Sequence, residues 1–256
     1  MDLETIRGGM TTLIEESPLN RVEQDGLKIE RIYDYPLVKV ADASDQLFAK
    51  LQEPEVVGEN HFLPSDWLNG AQSVISYYLP YSSQICKTNY KSGWASWEWI
   101  YGRIEGEIFN NAVREYLIKL MTDAGGSAVA PVLDNRFKIE DLRSNWSERH
   151  VAYIAGLGTF SLSKSLITEK GCAGRYGSMV TDLAITPSVK GYAEIEEHCN
   201  FCGDCIQRCP VGAIEKNGKN LSVCAHYIRN EVKPRFSPRY GCGKCQTAVP
   251  CENAIP

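Results

Sequence analysis

Eight of the ten cysteines fall within the last 58 residues, and their spacing constrains this chain more than any other feature. Cys199, Cys202, Cys205 and Cys209 form a C-x2-C-x2-C-x3-C run closed by Pro210, and Cys224, Cys242, Cys245 and Cys251 follow. Gaps of two residues let one loop wrap three thiolates around a single cubane. A fourth cysteine, directed away by the proline, ligates the other cluster in two-cluster arrangements. The spacing therefore predicts one [4Fe–4S] cluster on Cys199, Cys202, Cys205 and Cys251, and a second on Cys209, Cys224, Cys242 and Cys245. Such a pair implies electron transfer.

Two other uses of cysteine fit less well. A disulfide framework belongs to an oxidising compartment, and no apolar signal segment opens the chain. Zinc calls for paired C-x2-C or mixed Cys/His sets, which a four-cysteine run ending in proline does not supply. The second half-site also differs from a plain duplicated ferredoxin. Cys224 stands alone, Cys242 and Cys245 arrive in Gly241-Cys242-Gly243-Lys244-Cys245, and Pro250 precedes Cys251.

At 256 residues the chain has room for a large domain beside the small cysteine-rich one. The expected division is an α/β domain over 1–190 and a two-cluster ferredoxin-like domain over 191–256. No run of about 18 apolar residues occurs, so no membrane span is expected. With no hydrophobic or twin-arginine leader before Met1-Asp2-Leu3-Glu4, the cytoplasm is the expected location. Charge is uneven: residues 1–60 carry thirteen Asp/Glu against six Lys/Arg, and residues 198–256 carry four against eight. Basic residues beside anionic clusters offset their charge. Arg229, Lys233, Arg235, Arg239 and Lys244 are also the candidates for docking an acidic electron donor.

Ahead of the cysteines the pattern mixes helices and strands without a regular βαβ rhythm, which predicts an α+β, irregular α/β domain. Residues 3–16 read as a helix interrupted at Gly8-Gly9, and Leu27–Glu30 as a half-buried strand. Ser44 is a candidate cap for a short helix through Gln52. Residues 72–79 read as a strand ended by Pro80, and 104–122 as a long amphipathic helix stopped by Gly125-Gly126. Ala128–Leu133 is apolar and extended, limited by Pro131 to an edge or strand end. Asn145 with Glu148 suggests a capping box on a helix ending at Gly156, and 178–185 another strand. No phosphate-binding loop or dinucleotide fingerprint occurs. His61, His150, His198 and His226 share no metal-site spacing. Trp94, Trp97, Trp99 and Tyr101 read as core packing. Cys86 reads as a small buried hydrophobe, and Cys172, between glycines, as lying near any pocket formed there.

Ala155-Gly156-Leu157-Gly158-Thr159 follows the capped helix directly, then Tyr176-Gly177-Ser178 with Thr181-Asp182-Leu183. Two glycines at a helix end allow a close backbone approach to a ligand or strand. Together with Gly70–Ser76, Leu79-Pro80-Tyr81, Ala130–Leu133, the cysteine run and Tyr240-Gly241-Cys242, this order resembles the epoxyqueuosine reductase family, within the wider group that includes reductive dehalogenases. The resemblance covers roughly residues 65–251. It implies a nitroreductase-like N-terminal domain and a cobalamin held between that domain and the clusters. By family position Gly156, Leu157, Gly158 and Thr159 would line the corrinoid, with Ser178 and Thr181 near its edge. A reduced ferredoxin or flavodoxin would supply electrons to a small-molecule substrate or a corrinoid protein.

The sequence departs from the family in three places. The family's proton-donating aspartate, three residues before the proline of the Ala130-Pro131 segment, is Ala128 here; Asp134 and Tyr153 are the substitute acids. No helical-repeat extension follows Cys251, so tRNA is expected not to be a partner. The gap from Cys245 to Cys251 is longer than the family's closing motif. These departures predict a short relative with a different substrate, or an electron-transfer protein that reduces a partner's corrinoid without binding one.

Overall fold

The computed structural model describes residues 1–256. It begins with helix α1 (Leu3–Glu16), whose Ile6, Met10 and Ile14 recur every four residues and are buried. A hairpin of β1 (Val22–Gln24) and β2 (Leu27–Ile29) follows, then β3 (Leu37–Asp42), the short helices α2 (Leu47–Lys50) and α3 (Pro64–Trp67), and β4 (Ser73–Pro80). Next come α4 (Ser83–Thr88), the long α5 (Trp97–Asp123), β5 (Ala128–Val129) and the hairpin β6 (Ile139–Glu140) to β7 (Arg143–Ser144). Helix α6 (Glu148–Ala155), the hairpin β8 (Gly158–Phe160) to β9 (Leu166–Thr168), and β10 (Gly174–Thr181) complete this part. The cysteine-rich segment holds α7 (Asp204–Gln207), the hairpin β11 (Ile214–Glu215) to β12 (Gly218–Lys219), α8 (Leu221–Tyr227) and α9 (Lys233–Phe236).

The main sheet is antiparallel, in the order β3-β4-β10-β5. All eight residues of β4 are buried, so the sheet is covered on both faces and alternation becomes a division of apolar residues between two cores. Ile75, Tyr77 and Leu79 meet Ile6, Met10, Phe109, Val113 and Leu117 from α1 and α5. Val74 meets Trp146, Val151 and Ile154 around α6. Each aliphatic side chain buried in this way contributes about 1.5–3 kcal/mol. The result is a mixed α/β architecture of helix, sheet and helix layers. Tyr227, Val232 and Phe236 of the cysteine-rich segment join the α1/α5 core.

Several local expectations are corrected. Helix α1 runs through Gly8-Gly9 without a break, because Gly9 is where α5 comes close: a Cβ there would lie 1.8 Å from the Tyr116 hydroxyl. Helix α5 starts at Ser96, whose side chain accepts from the Trp99 amide, so the aromatic cluster is its first turn. Trp99 and Tyr101 are buried in the core, while Trp94 and Trp97 lie half-exposed against Phe236. Strand β10 begins at Gly174 and ends at Thr181. The capping box at Asn145 does not form: its side chain bonds Lys138 N and Arg136 O, and Ser147 takes the N-cap position. Asp45, not Ser44, accepts from the amide that opens α2.

β5 pairs with β10 only at Val180 and Thr181, which leaves the rest of that edge open. Backbone acceptors on an open, buried edge need partners. The Tyr176 carbonyl accepts from Asn110 Nδ2 at 3.1 Å and Arg114 Nη2 at 3.4 Å, both from α5. Arg114 also donates to Glu107 Oε1 at 2.7 Å, and Arg175 Nε donates to Glu107 Oε2 at 3.0 Å. Burial raises the Glu107 carboxyl, but Arg175 and Arg114 outweigh that and hold it below the ordinary value. Glu107 thus neutralises two guanidiniums beneath the sheet edge. Replacing Glu107 by Gln leaves buried charge uncompensated and is expected to cost about 3–5 kcal/mol in chemical denaturation. A loss below about 1 kcal/mol would contradict this role.

Candidate functional site

Cys199, Cys202, Cys205 and Cys251 line one small cavity together with Ile167, Phe201 and Val249. The run can wrap in this way because Phe201 and Gly203 both adopt positive φ, at 54° and 85°. Cys251 is brought in by its neighbours: the Cys172 amide donates to the Cys251 carbonyl at 2.9 Å, and Gly171 meets Glu252 so closely that a Cβ would lie 2.2 Å from its carbonyl oxygen. Cys172 lies against this set, its Sγ 3.7 Å from that of Cys251. Cys86 is buried elsewhere, its thiol pushed up to about 12 by burial.

Cys209, Cys224, Cys242 and Cys245 meet on one wall of a larger, half-open cavity of about 630 Å³. The sulfur of Cys209 accepts from the Ala213 amide at 3.2 Å. Burial raises the thiols of Cys205, Cys242 and Cys245. Burial, then the neighbouring Cys245, Cys251, Cys199 and Cys202, push Cys205 up to about 12. Burial, then Cys245 and Cys224, do the same to Cys242. Thiols become thiolates readily around a cationic centre, and four cysteines lining one cavity supply the ligand type an iron–sulfur core takes, at both places.

Three polar side chains hold the segment against the turn after α4. Arg208 donates through Nε to Lys244 O at 3.0 Å, through Nη1 to Tyr90 O at 3.1 Å and through Nη2 to Asn89 O at 3.1 Å. Asn89 donates to Cys242 O and to Thr247 Oγ1, both at 3.1 Å. Lys244 Nζ donates to Asn89 O and Lys91 O at 3.0 and 2.6 Å. Lys244 is therefore 2 % exposed and fastens the fold, so it leaves the set of docking candidates. Arg239 is likewise engaged, with Glu105 at 2.7 Å and across the Tyr101 ring, and Arg235 lies over Trp94. Arg229 and Lys233 stay exposed.

The larger cavity lies between the cysteine loop and the open edge of β10. Its wall includes Trp99, Arg103, Glu107, Arg114, Trp146, Glu148, Arg175, Tyr176 and Tyr240. Glu148 accepts from Ser178 Oγ at 2.5 Å and lies 3.5 Å from Arg114 Nη2. Burial pushes its carboxyl above the ordinary value despite that guanidinium. The sequence reading missed this polar group, although a signal was there. Glu107, Asn110 and Arg114 stand at helical spacing beside the apolar Val113 and Leu117, where a surface helix would carry no charge.

None of the six residues expected at a corrinoid lines this cavity. Gly156 is the left-handed C-cap of α6 at φ 93°, and Leu157 is buried against Tyr78 and Phe160. Gly158 and Thr159 form β8 under β9, and Thr159 Oγ1 accepts from the His198 amide at 2.8 Å. Ser178 is buried but touches the wall, accepting from Trp146 Nε1 at 2.8 Å. Thr181 donates to Ser127 O at 2.8 Å. Asp134 binds Arg136 through Nε and Nη2, which pulls its carboxyl down to about 2, so it has no proton to give near neutrality. Tyr153 packs on Phe160 and Tyr192, away from the cavity, its hydroxyl pKa raised by burial.

With this geometry described, likeness to known proteins can be set beside it. The 4Fe-4S binding domain family matches residues 192–215, the stretch that carries the first four cysteines. An epoxyqueuosine reductase of Bacillus subtilis is 29% identical over 218 residues, covering 78% of this chain and 52% of that protein. The enzyme of Bacillus anthracis is 28% identical over 217 residues, with the same coverage. The chain is a relative of the epoxyqueuosine reductases. It spans about half the length of these curated relatives.

Solved structures share the fold. An epoxyqueuosine reductase solved with an epoxyqueuosine-modified tRNA-Tyr stem loop matches 96% of this chain and 66% of that one, with TM-score 0.52 and 20% identity. A catabolic reductive dehalogenase in complex with 3-bromo-4-hydroxybenzoic acid matches 97% of this chain and 37% of that one, with TM-score 0.57 and 16% identity. The first of these corrects the expectation that tRNA is not a partner. A relative that aligns with nearly the whole of this chain carries a tRNA stem loop, and the position of the last residue is no ground for excluding one. No helix is long and apolar enough to cross a membrane.

Replacing Arg208 by Ala removes charge-assisted donors from three carbonyls at once. Amide exchange in 199–211 and 240–247 is expected to rise by about tenfold or more, with β4 and β10 unchanged. Equal exchange in wild type and variant would show that Arg208 does not hold the segment.

Proposed function

We propose that the chain is an iron–sulfur oxidoreductase that carries two [4Fe–4S] clusters and passes electrons to a corrinoid in the larger cavity. The observation that carries this reading is that all four cysteines of the second set line that cavity. A ligand there lies within short reach of the electron carrier, and the other set leads outward from it. The cavity is in the size range of cofactor sites. Its flat apolar surfaces, Trp99, Tyr176 and Tyr240, suit a macrocycle. Similarity to the epoxyqueuosine reductases supports the same assignment, as does the fold shared with reductive dehalogenases, one of them described in terms of B12-dependent dehalogenation.

A corrinoid, when bound, supplies a strongly reducing metal centre. The chain's own residues bind it, keep water away and handle protons. Glu148, its carboxyl raised by burial and accepting from Ser178, is the wall residue that exchanges protons with the ligand. It takes the part that Ala128 cannot fill and that Asp134, locked to Arg136, is unable to serve. The division of the chain near residue 190 and a nitroreductase-like ancestry of the first part belong to the same proposal. Arg229 and Lys233 form the entry face for a ferredoxin or flavodoxin. The substrate is a small molecule or a modified nucleoside of a tRNA stem loop.

A second reading has an observation of its own. None of the six residues expected at a corrinoid lines the cavity, as would hold in an electron carrier that serves a partner's corrinoid. Anaerobic titration of the cluster-loaded protein with hydroxocobalamin, followed by absorbance and EPR, separates the two. Stoichiometric uptake with a base-off spectrum is the expected result. Saturable electron transfer to a partner without any uptake would establish the carrier and remove the corrinoid from this chain.

A further inference from the structure

We infer that Arg103 and Arg175, which line the same cavity as the second cysteine set, form an oxyanion subsite for a phosphate group of the ligand that fills the cavity. Four guanidiniums, of Arg103, Arg114, Arg149 and Arg175, and two carboxylates, of Glu107 and Glu148, line this cavity, and Arg149 donates to the Lys164 carbonyl. Arg114 is engaged with both carboxylates and Arg175 with Glu107. Arg103 pairs with neither. Its guanidinium carbon lies over the Tyr240 ring, 4.7 Å from the centroid, and the side chain donates to no protein acceptor.

The position is fixed by the fold. Arg103 comes from the second turn of α5 and is flanked by the cysteine loop at Gly241, where a Cβ would lie 2.5 Å from Arg103 Cδ. A side chain larger than hydrogen at 241 would displace it. The guanidinium is thus clamped between a tyrosine face and a glycine, with its donors directed along the wall. Planar guanidiniums in fixed positions are the groups that recognise phosphate and carboxylate with two hydrogen bonds each.

Offsetting the anionic clusters is the other use for positive charge here, and the lysines already fill it. Lys219 neighbours Cys245 and Cys224, and Lys244 neighbours Cys242. The charged and titratable neighbours of Arg103 are Arg175, Tyr81, Tyr240 and Glu107, with no thiol among them. Arg103 and Arg175 repel each other, and Glu107, the carboxylate near both, is shared between Arg175 and Arg114, so Arg103 lacks a negative partner. An oxyanion from the ligand supplies it.

The inference deepens the corrinoid reading, because a cobalamin carries one phosphodiester in its nucleotide tail and a cobinamide carries none. The experiment uses the cluster-loaded chain and titrates inorganic phosphate, hydroxocobalamin and cobinamide by calorimetry. Wild type is expected to bind phosphate, and to bind cobalamin about tenfold or more tighter than cobinamide. In Arg103→Ala phosphate binding is lost and the two corrinoids become equal, while Arg103→Lys recovers part of the difference. Lys50→Ala, at an exposed position away from the cavity, serves as the control and leaves all three titrations unchanged. Phosphate binding without uptake of either corrinoid would keep the oxyanion subsite and remove the corrinoid. Absence of phosphate binding in wild type, or equal binding by wild type and Arg103→Ala, would overturn the subsite. Iron content and melting temperature of each variant verify that it has folded.

Discussion

Crowding several thiols around one cavity is unfavourable until a cationic centre accepts them, and this chain lines two cavities with four cysteines each. The constraint shapes the whole C-terminal part, which has short helices, two-residue strands and few buried apolar residues of its own. Its Tyr227, Val232 and Phe236 borrow the core built by α1 and α5. The rest of its fastening is polar: Arg208, Asn89 and Lys244 hold carbonyls of the loops that present the cysteines. Metal binding and folding are therefore coupled in this part of the molecule.

The sheet supplies the other half of the site. Because β5 pairs for only two residues, β10 keeps an open edge, and α5 satisfies it with Asn110 and Arg114 instead of a further strand. Placing those side chains there brings Glu107, Arg175 and Glu148 with them. A buried polar edge beside an electron carrier is an unusual expense for a fold, since each ion in it must be desolvated. A cavity that binds a charged ligand and handles protons gives it a purpose.

Much of this was legible beforehand. The cysteines that the spacing groups into two sets line two cavities, one set to each, because ligand spacing is local in the chain. Strands β4 and β10 and the body of α5 followed from apolar runs and periodicity. The errors have physical causes. Gly8-Gly9 looked like a break, yet close helix packing against Tyr116 uses a glycine for its small size. The start of α5 was hidden because its first turn is aromatic, and aromatic clusters carry no distinct period.

The ligand-contact residues were harder to read. Gly156, Leu157, Gly158 and Thr159 came from motif position, and here they turn the chain out of α6 and into β8, away from the cavity. Glu148 looked like half of a capping box, since a glutamate at the head of a helix usually is. Its partner Ser178 lies thirty residues onward, on a different element. Arg103 and Arg175 come from a helix and a strand 72 residues apart, and only the tertiary fold brings them to one wall.

The central claim is that two cubanes are held by crossed sets of cysteines, with Cys251 closing the first and Cys209 belonging to the second. Iron and sulfide analysis with Mössbauer spectroscopy on anaerobically purified protein tests it directly. The account predicts about eight irons in two [4Fe–4S] centres, with Cys251→Ser altering one centre and Cys209→Ser the other. About four irons in wild type, or loss of the same centre in both variants, would contradict it.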